Sequence, residues 1–273
     1  MARAVNAPQR VRVQHLQAAK DRGERLVMLT AYDAVTARIF DEAGIDLLLV
    51  GDSIGNTMHG YASTLPVTLD EMVVAGRAVA GAARRAFVVV DLPFGTYEAG
   101  PAQALATGVR VLKETGAAAV KLEGGRRVAA QIRALTDAGI PVVAHLGYTP
   151  QSENLLGGPR VQGRGDDGAD RLRDDAVAVV DAGAVAVVLE MVPAPVAASV
   201  TSMLRVPTIG IGAGAGCDGQ VLVWVDMAGM TEWTPRFAKR YGELGAALGA
   251  AARAFADDVR GGAFPDAEHE FGA

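Results

Sequence analysis

The chain has 273 residues, half of them hydrophobic, with 31 Asp and Glu against 26 Lys and Arg for a formal net charge of −5. Such a chain can bury a large core, and its scattered lysines and arginines exclude a nucleic-acid footprint or an anionic membrane surface, leaving a small-molecule partner. Cys217 is the only cysteine, which excludes a disulfide framework and a thiolate metal centre; with no signal-like N-terminus and no apolar run of about 18 residues, the expected location is the cytoplasm.

Residues 1–24 read as an N-terminal extension, helical or partly ordered, and residues 25–273 as one catalytic domain with a C-terminal tail. Within that domain, short runs rich in Val, Leu and Ile alternate with Ala-rich stretches of helical length. The predicted strands are 25–33, 47–52, 86–91, 118–123, 141–146, 184–190, 207–212 and 221–226. Runs apolar on both faces belong to a parallel sheet covered by helices, and helical connections favour right-handed βαβ crossovers. Eight such units predict a single-domain (β/α)8 TIM barrel of the α/β class. A doubly wound open sheet shares this periodicity and stands as the structural alternative. Between strands five and six, residues 145–171 are polar, Gly-rich and too long for a minimal loop, which predicts an active-site lid. Helical spacing resumes from Asp170 to Ala182.

In such a barrel the polar residues at the C-terminal strand ends share one mouth. Asp52, Asp91 and Glu123 close strands two, three and four. Three neighbouring carboxylates without matching His or Cys suit Mg2+ before Mn2+, while helix capping or an Asx turn is the plain alternative for each alone. Lys121 lies two residues before Glu123, so the pleat turns both the same way. A buried lysine there needs an anion, whether a substrate carboxylate, the acidic cluster or one structural partner. Glu190 closes the apolar run AVAVVLE, a poorly solvated setting that suits a general base; a capping role is the alternative, with Pro193 and Pro195 just beyond. His145 closes strand five, where it can bond substrate or serve a structural role. The run IGIGAGAGCDG (209–219) lacks dinucleotide-fingerprint spacing; it allows either an anion cradle of backbone N–H groups or close approach of a neighbouring backbone.

Taken together, TAYD (30–33), LLVGDSIG (48–55), STLPVTLDEM (63–72), DLPF (91–94), VKLEGG (120–125), HLGYTPQS (145–152), VQGRGD (161–166), LEMVP (189–193), IGIGAG (209–214) and DGQVLV (218–223) closely resemble the ketopantoate hydroxymethyltransferase family. The resemblance runs from about Leu26 to Phe271. It implies a (β/α)8 barrel that uses Mg2+ and 5,10-methylenetetrahydrofolate to hydroxymethylate 3-methyl-2-oxobutanoate (alpha-ketoisovalerate). The products are 2-dehydropantoate and tetrahydrofolate, on the route to pantothenate and coenzyme A. It also implies a homodecamer of pentameric rings. Carried over by position, the metal carboxylates fall on Asp52, Asp91 and Glu123, the substrate contacts on Asp52, Ser53, Asp91 and Lys121, and the proton acceptor on Glu190. The chain departs from the family pattern at Pro159 and Arg160 and across TEWTPRFAKRY (231–241), which bears on folate contacts and lid behaviour. Two other readings are a Mg-dependent 2-oxo-acid lyase or mutase of the phosphoenolpyruvate mutase and isocitrate lyase group, and a non-catalytic oxo-acid-binding barrel. The first typically needs a reactive Lys or Cys on its lid, which this sequence does not supply; the second has no use for a desolvated Glu190.

Overall fold

The computed structural model describes residues 9–271, so the first eight positions of the expected N-terminal extension lie outside the described residues. Eight parallel strands follow one another around a closed barrel: β1 Leu26–Thr30, β2 Leu47–Val50, β3 Phe87–Asp91, β4 Ala119–Glu123, β5 Val142–Gly147, β6 Ala186–Glu190, β7 Thr208–Ile211 and β8 Gly219–Leu222. Pairing of Leu26–Leu29 with Gly219–Leu222 closes the ring. The predicted barrel is therefore the fold, and the open sheet is excluded.

Because strand side chains alternate, every second residue points to the barrel axis. The inward set packs as one apolar cluster that includes Met28, Leu47, Leu49, Phe87, Val89, Ala119, Val143, Ala186, Val188, Ile209, Ile211 and Val221. Continuing the same parity toward the C-terminal ends turns apolar into polar. Phe87 and Val89 lead to Asp91, Ala119 to Lys121 and Glu123, Val143 to His145, and Ala186 and Val188 to Glu190. The lower half of the barrel is thus oily and the upper half ionisable, on one uninterrupted period of two.

At the opposite end, helix Val13–Asp21 inserts Leu16 and Ala19 into the same apolar cluster. Lys20 ties this helix to the β7–β8 turn through Asp218 at 2.8 Å and to helix Ala194–Met203 through the Thr201 carbonyl at 2.9 Å.

The strands end earlier than predicted where a residue turns to another task. The first stops at Thr30 because Asp33 caps helix Ala34–Glu42, its Oδ1 accepting from the N–H groups of Val35 and Thr36 at 2.7 and 2.9 Å. β2 stops at Val50, since at Asp52 the backbone N–H points across to Asp91. In STLPVTLDEM, Thr68 and Glu71 form a capping box for helix Leu69–Ala82, so that motif is architectural at these two residues. Helix Gly165–Asp181 begins five residues before its predicted start, with Asp166 and Asp167 in its first turn where the helix dipole favours negative charge.

The largest correction falls on the last strand. Only Gly219–Leu222 finds partners on β1 and β7, and residues Trp224–Met227 are helical where a strand was predicted to continue to Asp226. The described residues divide into two compact units between Leu222 and Val223. The second unit contains helix Leu244–Gly261, with Leu244, Leu248, Phe255 and Val259 exposed along it.

Candidate active site

The barrel register fixes which ionisable groups meet. Asp91 sits opposite Lys121 on the neighbouring strand, Glu123 opposite His145, and Gly147 opposite Glu190. Lys121 Nζ lies 2.9 Å from Asp91 Oδ1 and 3.3 Å from His145 Nδ1. His145 then bridges two carboxylates, with Nδ1 3.3 Å from Glu123 Oε1 and Nε2 3.2 Å from Glu190 Oε2. Asp91 also accepts from the Asp52 backbone N–H at 3.0 Å through Oδ2. Ser53 Oγ is 2.8 Å from the Tyr32 hydroxyl. Gly51 leaves room for this turn, since a Cβ there would stand 2.8 Å from Ser53 Oγ.

All seven predicted residues therefore belong to one end of the barrel, and all but Ser53, whose hydroxyl meets Tyr32, form a continuous chain from Asp52 to Glu190. The lysine's anionic partner is Asp91. Glu190 is more open than an all-apolar strand suggested: its side chain keeps 18% of its surface, against 1% for Glu123. The structure adds Gln151 and Tyr97. Gln151 lies in the first turn after β5, in Pro150–Ser152, where its backbone N–H donates to Glu123 Oε2 at 3.0 Å. Its side-chain Nε2 donates to Asp52 Oδ2 at 2.8 Å and to the Leu92 carbonyl at 3.0 Å, and its Oε1 accepts from the Tyr97 hydroxyl. Strand periodicity gives no hint of either residue, because neither lies on a strand; only the motif HLGYTPQS carried Gln151.

Burial and charge set the protonation states together. Burial, reinforced by Asp91 and Glu123, pushes Asp52 up to about 8 against the pull of Lys121 and the Gln151 hydrogen bond. Burial also raises Asp91, although Lys121 opposes it. For Glu123 burial acts upward but is outweighed by His145, Lys121 and the Gln151 N–H, so it stays below its ordinary range. Burial and Lys121 both act to lower His145, yet Glu123 and Glu190 override them and hold it up at about 9. Lys121 is raised despite burial, by Asp91, Glu123 and Asp52. Two cations thus face four carboxylates, and the surplus is negative.

That surplus and the donor set fit a hard divalent cation. Asp91 Oδ1 and Glu123 Oε1 are buried and, although in ion-pair range of Lys121 and His145, are not engaged in hydrogen bonds, so each keeps lone-pair capacity. Among the described residues no three His, Cys, Asp or Glu side chains enclose an ion by themselves. Mg2+ suits such an open arrangement, because it commonly takes one or two protein carboxylates and completes its shell with water and substrate oxygens.

The glycines of 209–219 are occupied by close contacts. A Cβ on Gly219 would stand 2.5 Å from the Leu26 carbonyl oxygen, and one on Gly216 2.8 Å from the Ala198 Cβ. The close-approach reading of this segment accounts for both.

Among proteins of known structure the chain resembles phosphonopyruvate hydrolase, whose crystal structure is a complex with oxalate and Mg2+ (TM-score 0.61, 16% identity, 94% of this chain and 92% of that one). It likewise resembles phosphoenolpyruvate phosphomutase from Streptomyces platensis subsp. rosaceus (TM-score 0.60, 18% identity, 92% and 88%). At these identities the likeness speaks to the barrel alone. Sequence relatives stand much nearer. Proteins named 3-methyl-2-oxobutanoate hydroxymethyltransferase are 61% identical in Leifsonia xyli subsp. xyli (99% of this chain, 98% of that one) and 58% identical in Acidothermus cellulolyticus (99% and 100%). One from Saccharopolyspora erythraea is 62% identical over 96% of this chain and 89% of its own. The family model described as ketopantoate hydroxymethyltransferase matches residues 10–267. With motifs, barrel and near-full-length relatives in agreement, this chain belongs to the ketopantoate hydroxymethyltransferase family.

Proposed function

We propose that this chain transfers a hydroxymethyl group from 5,10-methylenetetrahydrofolate to C3 of 3-methyl-2-oxobutanoate, giving 2-dehydropantoate and tetrahydrofolate for pantothenate synthesis, with Glu190 as the base. The observation that carries the roles is the chain Asp91–Lys121–His145–Glu190, which sets a partly open carboxylate beside the buried His145. In this reading Asp52 and Asp91, with Glu123 as third carboxylate, hold Mg2+. Held by these residues, Mg2+ would supply Lewis-acid polarisation of the 2-oxo group, which would acidify the C3–H bond.

The chain's own residues divide the remaining work. Lys121 and Ser53 hold the substrate carboxylate, with Asp52 and Asp91 alongside, which leaves C3 toward β6. Glu190 accepts the C3 proton, and the carbanion equivalent at C3 forms the new bond to the folate's one-carbon unit. One water enters the overall transfer and its oxygen becomes the new hydroxyl. His145 is kept protonated between Glu123 and Glu190 and can bond a substrate oxygen.

The lyase or mutase alternative gains nothing beyond the barrel. Residues 148–165 contain neither Lys nor Cys, and Cys217 is buried against Gly210 of β7. A single buried thiol fits a reducing, cytoplasmic setting; no helix among the described residues is long and apolar enough to cross a membrane. The exposed apolar residues of helix Leu244–Gly261 support assembly into a homo-oligomer, in this reading a decamer, and sedimentation velocity measures it directly.

The deciding experiment follows the C3 proton of 3-methyl-2-oxobutanoate by NMR in D2O with Mg2+ and no folate. Wild-type protein exchanges it and Glu190→Gln does not. Metal-loaded wild type that leaves the proton in place refutes the assignment, and exchange undiminished in Glu190→Gln removes the base from β6.

A further inference from the structure

The loop after β3, residues 92–100, carries Tyr97, which is buried. Its backbone is tied down on both sides of the tyrosine. Glu98 Oε2 accepts from the Gly95 and Tyr97 N–H groups at 2.9 and 3.2 Å. From helix Pro101–Thr115, Gln103 donates to the Gly95 carbonyl at 2.7 Å and Thr107 to the Thr96 carbonyl at 2.6 Å. A hydroxyl carried on such a loop is in place before any ion or substrate arrives, and has little freedom left to lose.

That hydroxyl has one proton and two acceptors in reach. Gln151 Oε1 stands at 2.5 Å and the Glu123 carbonyl at 3.4 Å, so the proton goes to Gln151. The hydroxyl oxygen in turn accepts from the Glu123 N–H at 3.3 Å. At the other end of the Gln151 amide, the Leu92 carbonyl can only accept, which requires the amide nitrogen on that side at 3.0 Å. The second amide hydrogen then falls on Asp52 Oδ2 at 2.8 Å. Both amide hydrogens are thus used, and Tyr97 anchors the amide oxygen. The bonds run in one sense, from the Glu123 N–H to Tyr97, from Tyr97 to Gln151, and from Gln151 to Asp52.

From this arrangement we infer that Tyr97 is a positioning residue for Mg2+, acting through Gln151 to aim Asp52. The inference rests on the proposed reading of Asp52, Asp91 and Glu123 as the residues that hold the ion, and adds to it a residue that touches neither ion nor substrate. Without the hydroxyl, Gln151 Oε1 is a buried acceptor that has lost its donor, a loss costly enough for the amide to shift toward another partner. A planar amide moves as one piece, so the shift draws Nε2 away from Asp52 Oδ2. Removing a group that orients a metal ligand lowers affinity by about 10- to 100-fold, and Tyr97 stands one residue further out than Gln151, which puts its effect at the lower end, about tenfold.

The test is a double-variant cycle read by isothermal titration of the folate-free protein with Mg2+. Tyr97→Phe keeps the ring and removes only the hydroxyl; it weakens Mg2+ binding about tenfold, while the same change made in Gln151→Leu protein weakens it by less than about twofold further. A tyrosine that served the fold alone would lower the melting temperature in both backgrounds and leave Mg2+ affinity as it was. At saturating Mg2+, C3 proton exchange by Tyr97→Phe returns to within about twofold of wild type, because only the ion's affinity was altered. A rate that stays low there puts Tyr97 in the chemistry and overturns the positioning role. A neutron structure of the wild type needs no variant: it locates the Gln151 amide hydrogens on the Leu92 and Asp52 side and the Tyr97 proton on the Gln151 side. A reversed amide, unchanged Mg2+ affinity in Tyr97→Phe, or equal losses in the two backgrounds overturns the inference and leaves the transferase reading in place. Wild-type protein that binds no Mg2+ overturns the reading of the carboxylate cluster, and the inference with it.

Discussion

Replacing Gln151 by leucine tests whether the cluster is held in shape by a neutral residue. Gln151 is buried, and its side chain joins three groups: Asp52, the Leu92 carbonyl and the Tyr97 hydroxyl. Leucine fills a similar volume but bonds none of them. The bond to the Asp52 carboxyl, which its raised pKa keeps uncharged at neutral pH, contributes about 0.5–1.5 kcal/mol, and each orphaned buried polar group costs about 1–3 kcal/mol. Tyr97 keeps a weak alternative in the Glu123 carbonyl at 3.4 Å, so a total near 3 kcal/mol follows rather than the full sum. For a chain of this size that lowers Tm by about 6–12 °C. With Asp52 no longer oriented, Mg2+ affinity falls by about 10- to 100-fold, the usual effect of removing a partner that orients a metal ligand. Calorimetric melting of the metal-free protein and isothermal titration with Mg2+ measure the two effects separately. Melting within about 2 °C of wild type together with unchanged Mg2+ affinity would refute the reasoning, since Gln151 would then be a bystander.

Three further perturbations follow from the same contacts. Gly147→Ala puts a Cβ 2.2 Å from the Glu190 carbonyl oxygen at a φ of +92°, so it should cost at least about 3 kcal/mol and collapse the β5–β6 edge; a melting temperature equal to wild type contradicts the register. Lys121→Met leaves Asp91 as a buried carboxylate without its cation and should cost about 3 kcal/mol at neutral pH in urea unfolding, a loss that would be absent if Lys121 were dispensable to folding. Glu71 is held down to about 2, first by the Tyr61 hydroxyl and then by the Thr68 backbone and side chain. Its folded value lies below its unfolded value near 4.5, so its contribution is present above pH 4.5 and fades as pH falls toward 2. Glu71→Gln should flatten that part of the acid-stability curve without altering proton exchange at neutral pH, and an unchanged acid limb counts against the Tyr61 and Thr68 hydrogen bonds as the cause.

The barrel was legible because the same two-residue period runs through the strands and because several of the apolar runs end in an ionisable residue. Errors arose where a local task overrode the period. Asp33 looked like the last residue of a strand and caps the next helix instead. Trp224 and Val225 continued an apolar alternation, yet the ladder to β1 ends at Leu222, and without a partner strand the alternation has nothing to pair with. Met191, the one residue other than glycine with positive φ among those described, at +48°, gave no warning either. It turns the chain immediately after Glu190, a conformation costing about 1–2 kcal/mol that surrounding contacts must offset.

The site was legible only in its strand-borne half. Asp91, Lys121, Glu123, His145 and Glu190 share the parity of the core beneath them, so their convergence follows from the fold once the strands are placed. Asp52 stands just past its strand, and its orientation depends on Asp91 and on Gln151, which approaches from a different loop 99 residues away. No periodicity encodes such a meeting. Charge offers the missing constraint: four carboxylates against Lys121 and His145 leave a buried excess that a polar loop must steady before any ion arrives. The raised Asp52 and the neutral amide beside it are two parts of that answer, since one removes a negative charge and the other holds the oxygens in place.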